Sequence, residues 1–269
     1  YLLYKINRFP FECPTSTNRK NFPNKVNFDK ICQGIFMTRE EELIKNVQFV
    51  ESALCAACQK AGRNPQDVSL MAVTKYAQDK DVLTLLDSGL IRHIGESRVQ
   101  QAEKRWTSSV FAKYKTVKHF IGHLQKNKAA KAARLFDFID SLDSEETALA
   151  LNRTAPEGKI IRALIQIKLT QKDTQSGLPL EEARKLAKKL AELEHIKVCG
   201  YMGIAPQGAS EEELHQIFKQ VKTAFDQDFP GGERYLSLGM SEDFRVAVEE
   251  GSTLPRIGSR LFATTLEGL

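Results

Sequence analysis

Apolar and polar positions along the chain change period at regular intervals. From Thr38 to Ala61 apolar residues recur three and four apart, the spacing of an amphipathic helix, and Gly62 stops it. Residues 68–74 then read Val-Ser-Leu-Met-Ala-Val-Thr, a short β-rich run of the kind a buried strand makes. The two patterns alternate from there on. Helical spacing covers 79–88, 98–106, 124–135, 144–153, 180–194, 210–226 and 241–250. Strand-like runs cover 91–94, 117–121, 138–139, 160–169, 196–202, 235–238 and 254–257. Thr38 and Glu41 have capping-box spacing, Asp143 is the expected cap of the 144–153 helix, and Gly89 and Gly251 close two others.

Eight strands, each separated from the next by a helix, imply a parallel sheet. Eight repeats within about 200 residues favour α/β architecture as a single (β/α)8 TIM-type barrel. An open, doubly wound sheet of about six strands is the alternative if two of the short runs are not strands. No Pro/Gly/Ser linker or internal repeat interrupts residues 37–269, so they read as one domain. Residues 1–36 show neither period. They are expected to be a poorly ordered N-terminal extension upstream of the initiator-like Met37. A transit peptide for mitochondrial targeting is the other reading, against which Glu12, Asp29 and the prolines weigh.

Charge changes this picture little. The net charge is +5, but residues 1–36 hold six basic side chains against two acidic ones, and the rest is nearly balanced. A phosphate-backbone field is absent from the main body, so no nucleic-acid partner is expected. No apolar run reaches the roughly 20 residues of a membrane span, so no membrane partner is expected either. With 42% hydrophobic residues, a large core can be buried. Five cysteines without disulfide-type spacing suit a reducing, cytoplasmic compartment. Cys55 and Cys58, three apart on the first helix, read as core-facing small residues. Lys126, Lys128, Lys131 and Arg134 read as a solvated helix face, with docking of an acidic partner as the sharper alternative.

Barrel sites are built at the C-terminal strand ends. There the sequence reads Thr74-Lys75, Gly95-Glu96-Ser97-Arg98, Gly122-His123, Met202-Gly203, Gly239-Met240-Ser241 and Arg256-Ile257-Gly258-Ser259. The glycines and hydroxyls after strands seven and eight suit a phosphate, which barrels often bind at those loops. Lys75 leaves the apolar run Met71-Ala72-Val73. A desolvated lysine there would be nucleophilic toward a carbonyl, whereas a strand-end lysine reaching solvent is the plain alternative.

Ala72–Lys75, Ile94–Gln100, His119–Lys128, Leu236–Phe244 and Arg256–Ser259 together resemble the pyridoxal phosphate homeostasis protein family, in order and at family-like spacing from about Met37 to Ala263. The resemblance implies a barrel like the N-terminal domain of alanine racemase and pyridoxal 5′-phosphate (PLP) as cofactor. It implies that Lys75 forms a Schiff base with PLP, that Ser241, Gly258 and Ser259 hold the phosphate, and that Arg256 faces the pyridine nitrogen. It also assigns pocket positions to Ser97, His123 and Met202. Ser97 stands where the family usually has Asn, residues 169–177 depart from the usual Asn-containing segment, and Ala263 replaces a frequent Gly.

Three functions remain open at this point. The first is a PLP carrier or regulator of vitamin B6 levels without substantial turnover, expected to be a monomer and to serve apo-enzymes that use PLP. The second is a PLP-dependent amino-acid racemase. A two-base racemase draws one catalytic group from a C-terminal β domain, and none follows the last motif here, so little turnover is expected. The third is an unrelated phosphate-metabolite barrel in which Lys75 is only a charge.

Overall fold

The computed structural model describes residues 37–170 and 176–264. The extension expected over residues 1–36, and part of the divergent segment 169–177, lie outside them. Eight strands are present among the described residues: β1 (Met71–Val73), β2 (His93–Glu96), β3 (Val117–Phe120), β4 (Phe138–Leu142), β5 (Ile161–Lys168), β6 (Ile196–Ile204), β7 (Tyr235–Ser237) and β8 (Arg256–Ile257). Every pairing is parallel. The order β7-β6-β5-β4-β3-β2-β1-β8 follows the chain and brings β8 beside β1. A doubly wound sheet reverses strand order at its middle. This sheet does not, and the expected barrel is found.

Between β7 and β8 there are no ladder rungs. The seam is closed instead by single bonds: Leu254 N–H to Leu236 O (3.2 Å), Arg256 N–H to Gly239 O (2.9 Å) and Ser237 Oγ–H to Leu254 O (2.9 Å). Ser252, fully buried, lies 2.7 Å from Leu238 O through its hydroxyl and accepts from Leu238 N–H at 3.2 Å.

The helices are α1 (Arg39–Lys60), α2 (Asp79–Asp87), α3 (Val99–Trp106), α4 (Ser109–Ala112), α5 (Ala129–Leu135), α6 (Glu145–Thr154), α7 (Leu180–Leu190), α8 (Glu211–Asp228), α9 (Phe244–Glu249) and α10 (Ser259–Phe262). Helix α1 buries Leu43, Val47, Val50, Leu54, Ala57 and Cys58 along one stripe, packed on α9, α10 and α2. Cys55 is only half-buried. The capping box forms in both directions: Glu41 N–H donates to Thr38 Oγ1 (3.2 Å) and Thr38 N–H to Glu41 Oε2 (2.9 Å).

Strand pleat divides the apolar residues between two cores. Ala72, Ile94, Phe120 and Ile139 face the helices in the larger core. Met71, Leu164, Cys199, Met202 and Leu254 fill the barrel interior, with Ile121, Ile204 and Tyr235 against them.

Several boundaries differ from the sequence expectation, each for a local reason. The second strand is displaced from 91–94 to His93–Glu96, because Ile91 is buried just before the strand and Glu96 is a strand residue held by an arginine. The fourth runs on to Leu142 through Asp140 and Ser141, both buried polar residues. Ser144, not Asp143, caps α6, accepting from Thr147 N–H at 3.4 Å. The helix expected from residue 124 opens as a 3-10 turn, Lys126–Lys128. Helix α9 starts only at Phe244 because residues 240–243 form a turn, with Met240 N–H bonded to Asp243 Oδ1 at 2.6 Å.

Candidate functional site

The C-terminal ends of the strands meet at one mouth, and pleat parity fixes what faces it. Met71 lies in the barrel interior and Val73 continues the inward set, with Lys75 following in the turn after β1. The ladder extends one step past β1, with Thr74 N–H donating to Gly95 O at 3.0 Å. Lys75 is half-buried, its Nζ 5.1 Å from the centroid of the Tyr76 ring. Gly95 belongs to the inward set of β2. A Cβ there would come within 2.8 Å of Met71 Sδ and 3.2 Å of Ile121 Cδ1, so the packed interior below Lys75 requires glycine. Met202, 1% exposed, lies in the same interior layer.

Arg256 enters the mouth from β8 and is 4% exposed. Its Nη1 donates to Ser237 O (2.6 Å) and Ser237 Oγ (2.9 Å), and its Nη2 to Gly203 O (2.9 Å), which ties β6, β7 and β8 together. Burial lowers its pKa, opposed by the charges of Asp140 and Asp243. Beside it, Ser259 Oγ and the buried Ser241 Oγ are 2.8 Å apart. Gly258 follows β8, and a Cβ at that position would sit 3.3 Å from Val73 Cβ and Val73 O. Gly239, at φ +88°, makes the sharp turn after β7, where a Cβ would strike Ala247 Cβ at 2.7 Å. The result is a small-residue cradle of two hydroxyls and close-lying backbone, next to a buried cation and across from a lysine.

Ser97 and His123 fall elsewhere. Ser97 is half-buried at the end of β2 and His123 is exposed after β3; with Arg98, Gln125 and Lys128 they line a shallow cavity of about 190 Å³. His123 Nδ1 lies 3.9 Å from Asp143 Oδ2. In the strand order β3 is four places from β7, so His123 stands on the flank of the mouth away from Ser241. The structure thus groups Lys75, Met202, Ser241, Arg256, Gly258 and Ser259, and leaves His123 at the rim.

Apolar periodicity passed over a polar line inside the barrel. His93 Nδ1 lies 2.9 Å from His119 Nε2, and His119 Nδ1 lies 2.9 Å from Asp140 Oδ1. An Asp140 carboxylate sets the tautomers: His119 donates from Nδ1 and accepts from His93 Nδ1–H. His119 stacks on Phe138 with ring centroids 4.3 Å apart. Burial, then the neighbouring His119 and Arg92, pushes the His93 pKa down to about 3. The signal for these residues was parity with Met71, since His93, His119 and Asp140 occupy inward positions of adjacent strands. No group of three His, Cys, Asp or Glu among the described residues is placed to hold a metal ion, and no described helix is long and apolar enough to cross a membrane.

Comparison with known proteins extends these observations. The family model described as the alanine racemase N-terminal domain matches residues 52–265. A pyridoxal phosphate homeostasis protein of Synechocystis sp. is 37% identical over 207 residues, 75% of this chain and 94% of that protein. One from Escherichia coli K12 is 31% identical over 226 residues, 82% of this chain and 96% of that protein. The solved structure of PipY from Synechococcus elongatus with PLP bound superposes with a TM-score of 0.68 at 32% identity, covering 78% of this chain and all of that one.

Proposed function

The chain belongs to the pyridoxal phosphate homeostasis protein family, on the alanine racemase N-terminal domain fold, and from that premise we propose that it binds PLP in vitamin B6 homeostasis. The observation that carries the proposal is that Lys75 follows β1 where β1 adjoins β8, on the same mouth as the Ser241–Ser259–Gly258 cradle beside buried Arg256.

The residues fit the cofactor's three functional groups. A phosphate dianion accepts from the Ser241 and Ser259 hydroxyls and from backbone N–H groups that Gly258 leaves approachable. A pyridine nitrogen would accept from an N–H of Arg256. Arginine stays protonated and has no acceptor atom, so it leaves that nitrogen without a proton. The amine of Lys75 would be the group that takes up the aldehyde, as a Schiff base with loss of water. When bound, PLP supplies an electron-withdrawing ring conjugated to that carbon. A ring held unprotonated stabilises a carbanion weakly, which suits holding the cofactor rather than turning over amino acids. Met202 lies in the interior layer beneath the mouth, and Ser97 and His123 line a separate cavity on its flank. The protein acts in a reducing compartment and releases PLP to apo-enzymes that require it.

Titration with PLP should give a visible Schiff-base absorbance. Lys75→Ala should abolish that band while retaining weaker binding through the phosphate. A Lys75→Ala protein with the wild-type band would overturn the assignment.

A further inference from the structure

The turn that bears Lys75 is held from outside the barrel by α3. β1 ends at Val73 and its ladder at Thr74, so the backbone from Thr74 to Ala77 has no strand beside it. A turn bond from Ala77 N–H to Thr74 O (3.0 Å) closes it, and side chains take its carbonyls as well. Arg105 Nη1 donates to Thr74 O (3.2 Å), Arg105 Nη2 to Ala77 O (3.0 Å) and Gln101 Nε2 to Lys75 O (3.2 Å). Arg105 is itself fixed on both sides. Its Nη1 is 2.6 Å from Glu96 Oε1, and its Nε is 2.7 Å from Asp79 Oδ1 at the start of α2. The Thr74 hydroxyl donates to the same Glu96 oxygen at 2.8 Å. The Arg105 and Glu96 side chains are 4% and 1% exposed. Arg105 lies on the buried face of α3 with Val99, Ala102 and Trp106, so it cannot swing away without unpacking the helix.

We propose that Arg105, anchored by Glu96, is a positioning residue for Lys75. The inference rests on the reading that Lys75 forms the Schiff base. In that step the neutral amine adds to the aldehyde carbon, a C=N bond forms, and the carbonyl oxygen leaves as water. The lysine stem rotates freely, so the protein can fix only where it starts and which way it leaves the backbone. Arg105 does this by locking the carbonyls on either side of Lys75, and Gln101 locks that of Lys75 itself. Releasing them spreads the amine over a larger volume and lowers its effective concentration at the aldehyde. The phosphate cradle, on the loops after β7 and β8, is anchored separately through Asp243 and Ser252 and is unaffected.

The test makes two measurements on the full chain. The rate at which PLP yields a borohydride-trapped adduct on Lys75 reports attack by the amine. The Kd of pyridoxine 5′-phosphate, which has an alcohol in place of the aldehyde, reports the non-covalent grip alone. Arg105→Lys keeps the charge beside Glu96 but cannot reach both Thr74 O and Ala77 O. It should slow trapping about tenfold and leave the pyridoxine 5′-phosphate Kd unchanged. Gln101→Ala removes one part-buried contact and should slow trapping by about two- to threefold. Wild-type trapping rates in both variants would overturn the proposal. A matching loss of pyridoxine 5′-phosphate binding would also overturn it, by marking Arg105 as a general support of the fold. A wild-type protein with no adduct on Lys75 would instead remove the reading on which it rests.

Discussion

Ser241, buried, and His93, half-buried inside the barrel, show how differently two polar residues can matter. Ser241 faces the mouth, and its partner is another hydroxyl, Ser259. Losing a hydroxyl that donates to a phosphate costs about 1.5–3 kcal/mol, roughly ten- to a hundredfold in Kd. Ser241→Ala should weaken PLP affinity by that factor in a binding titration, with the melting temperature nearly unchanged. His93 acts on stability instead. Its folded pKa of about 3 lies below the ordinary 6.5, so the unfolded chain takes up a proton first. Stability is full above about pH 6.5 and falls as the pH drops from there toward 3. His93→Gln keeps a donor for His119 Nε2 and removes the titrating group. Thermal melts taken between about pH 7.5 and 5 should show a shallower acid limb in this variant than in the wild type. Of this pair only Ser241 was legible in the sequence, because it stands in a loop where small polar residues gather. His93 lies within the strand-like run 91–94 and carried no local signal of its own; parity with a neighbouring strand was needed to place it inside the barrel.

Among the secondary-structure elements, ends set by neighbouring residues were legible and ends set by distant ones were not. The capping boxes of α1 and α8 are short-range devices whose residues lie three apart, so sequence alone reveals them. Strand ends depend on partners far along the chain. Glu96 reads as a loop residue until Arg105, nine positions on, is seen to hold it in the ladder. The seam between β7 and β8 is the extreme case, since no rungs join the two strands and Ser252 bridges them. Ser252→Ala leaves Leu238 N–H without its acceptor in a dry site, which costs about 1–3 kcal/mol. Calorimetry should register that loss as a lower melting temperature. An unchanged melt would show that the seam is held by its backbone bonds alone.

For the whole molecule, alternation of the two periods was enough to identify the barrel, because eight strand–helix repeats admit few other closed arrangements. The proposed site follows from where the strands end, and the roles proposed within it come from the family resemblance of its motifs. On the proposed reading, the β7–β8 side would supply anion and ring-nitrogen contacts and the end of β1 the amine, with α3 behind it. That division makes the location of the covalent bond the central claim. The most direct measurement is borohydride reduction of the PLP-loaded protein followed by peptide mass mapping. A pyridoxyl adduct on the peptide containing Lys75, and its disappearance in Lys75→Ala, is the predicted result. An adduct confined to any other lysine would contradict the account.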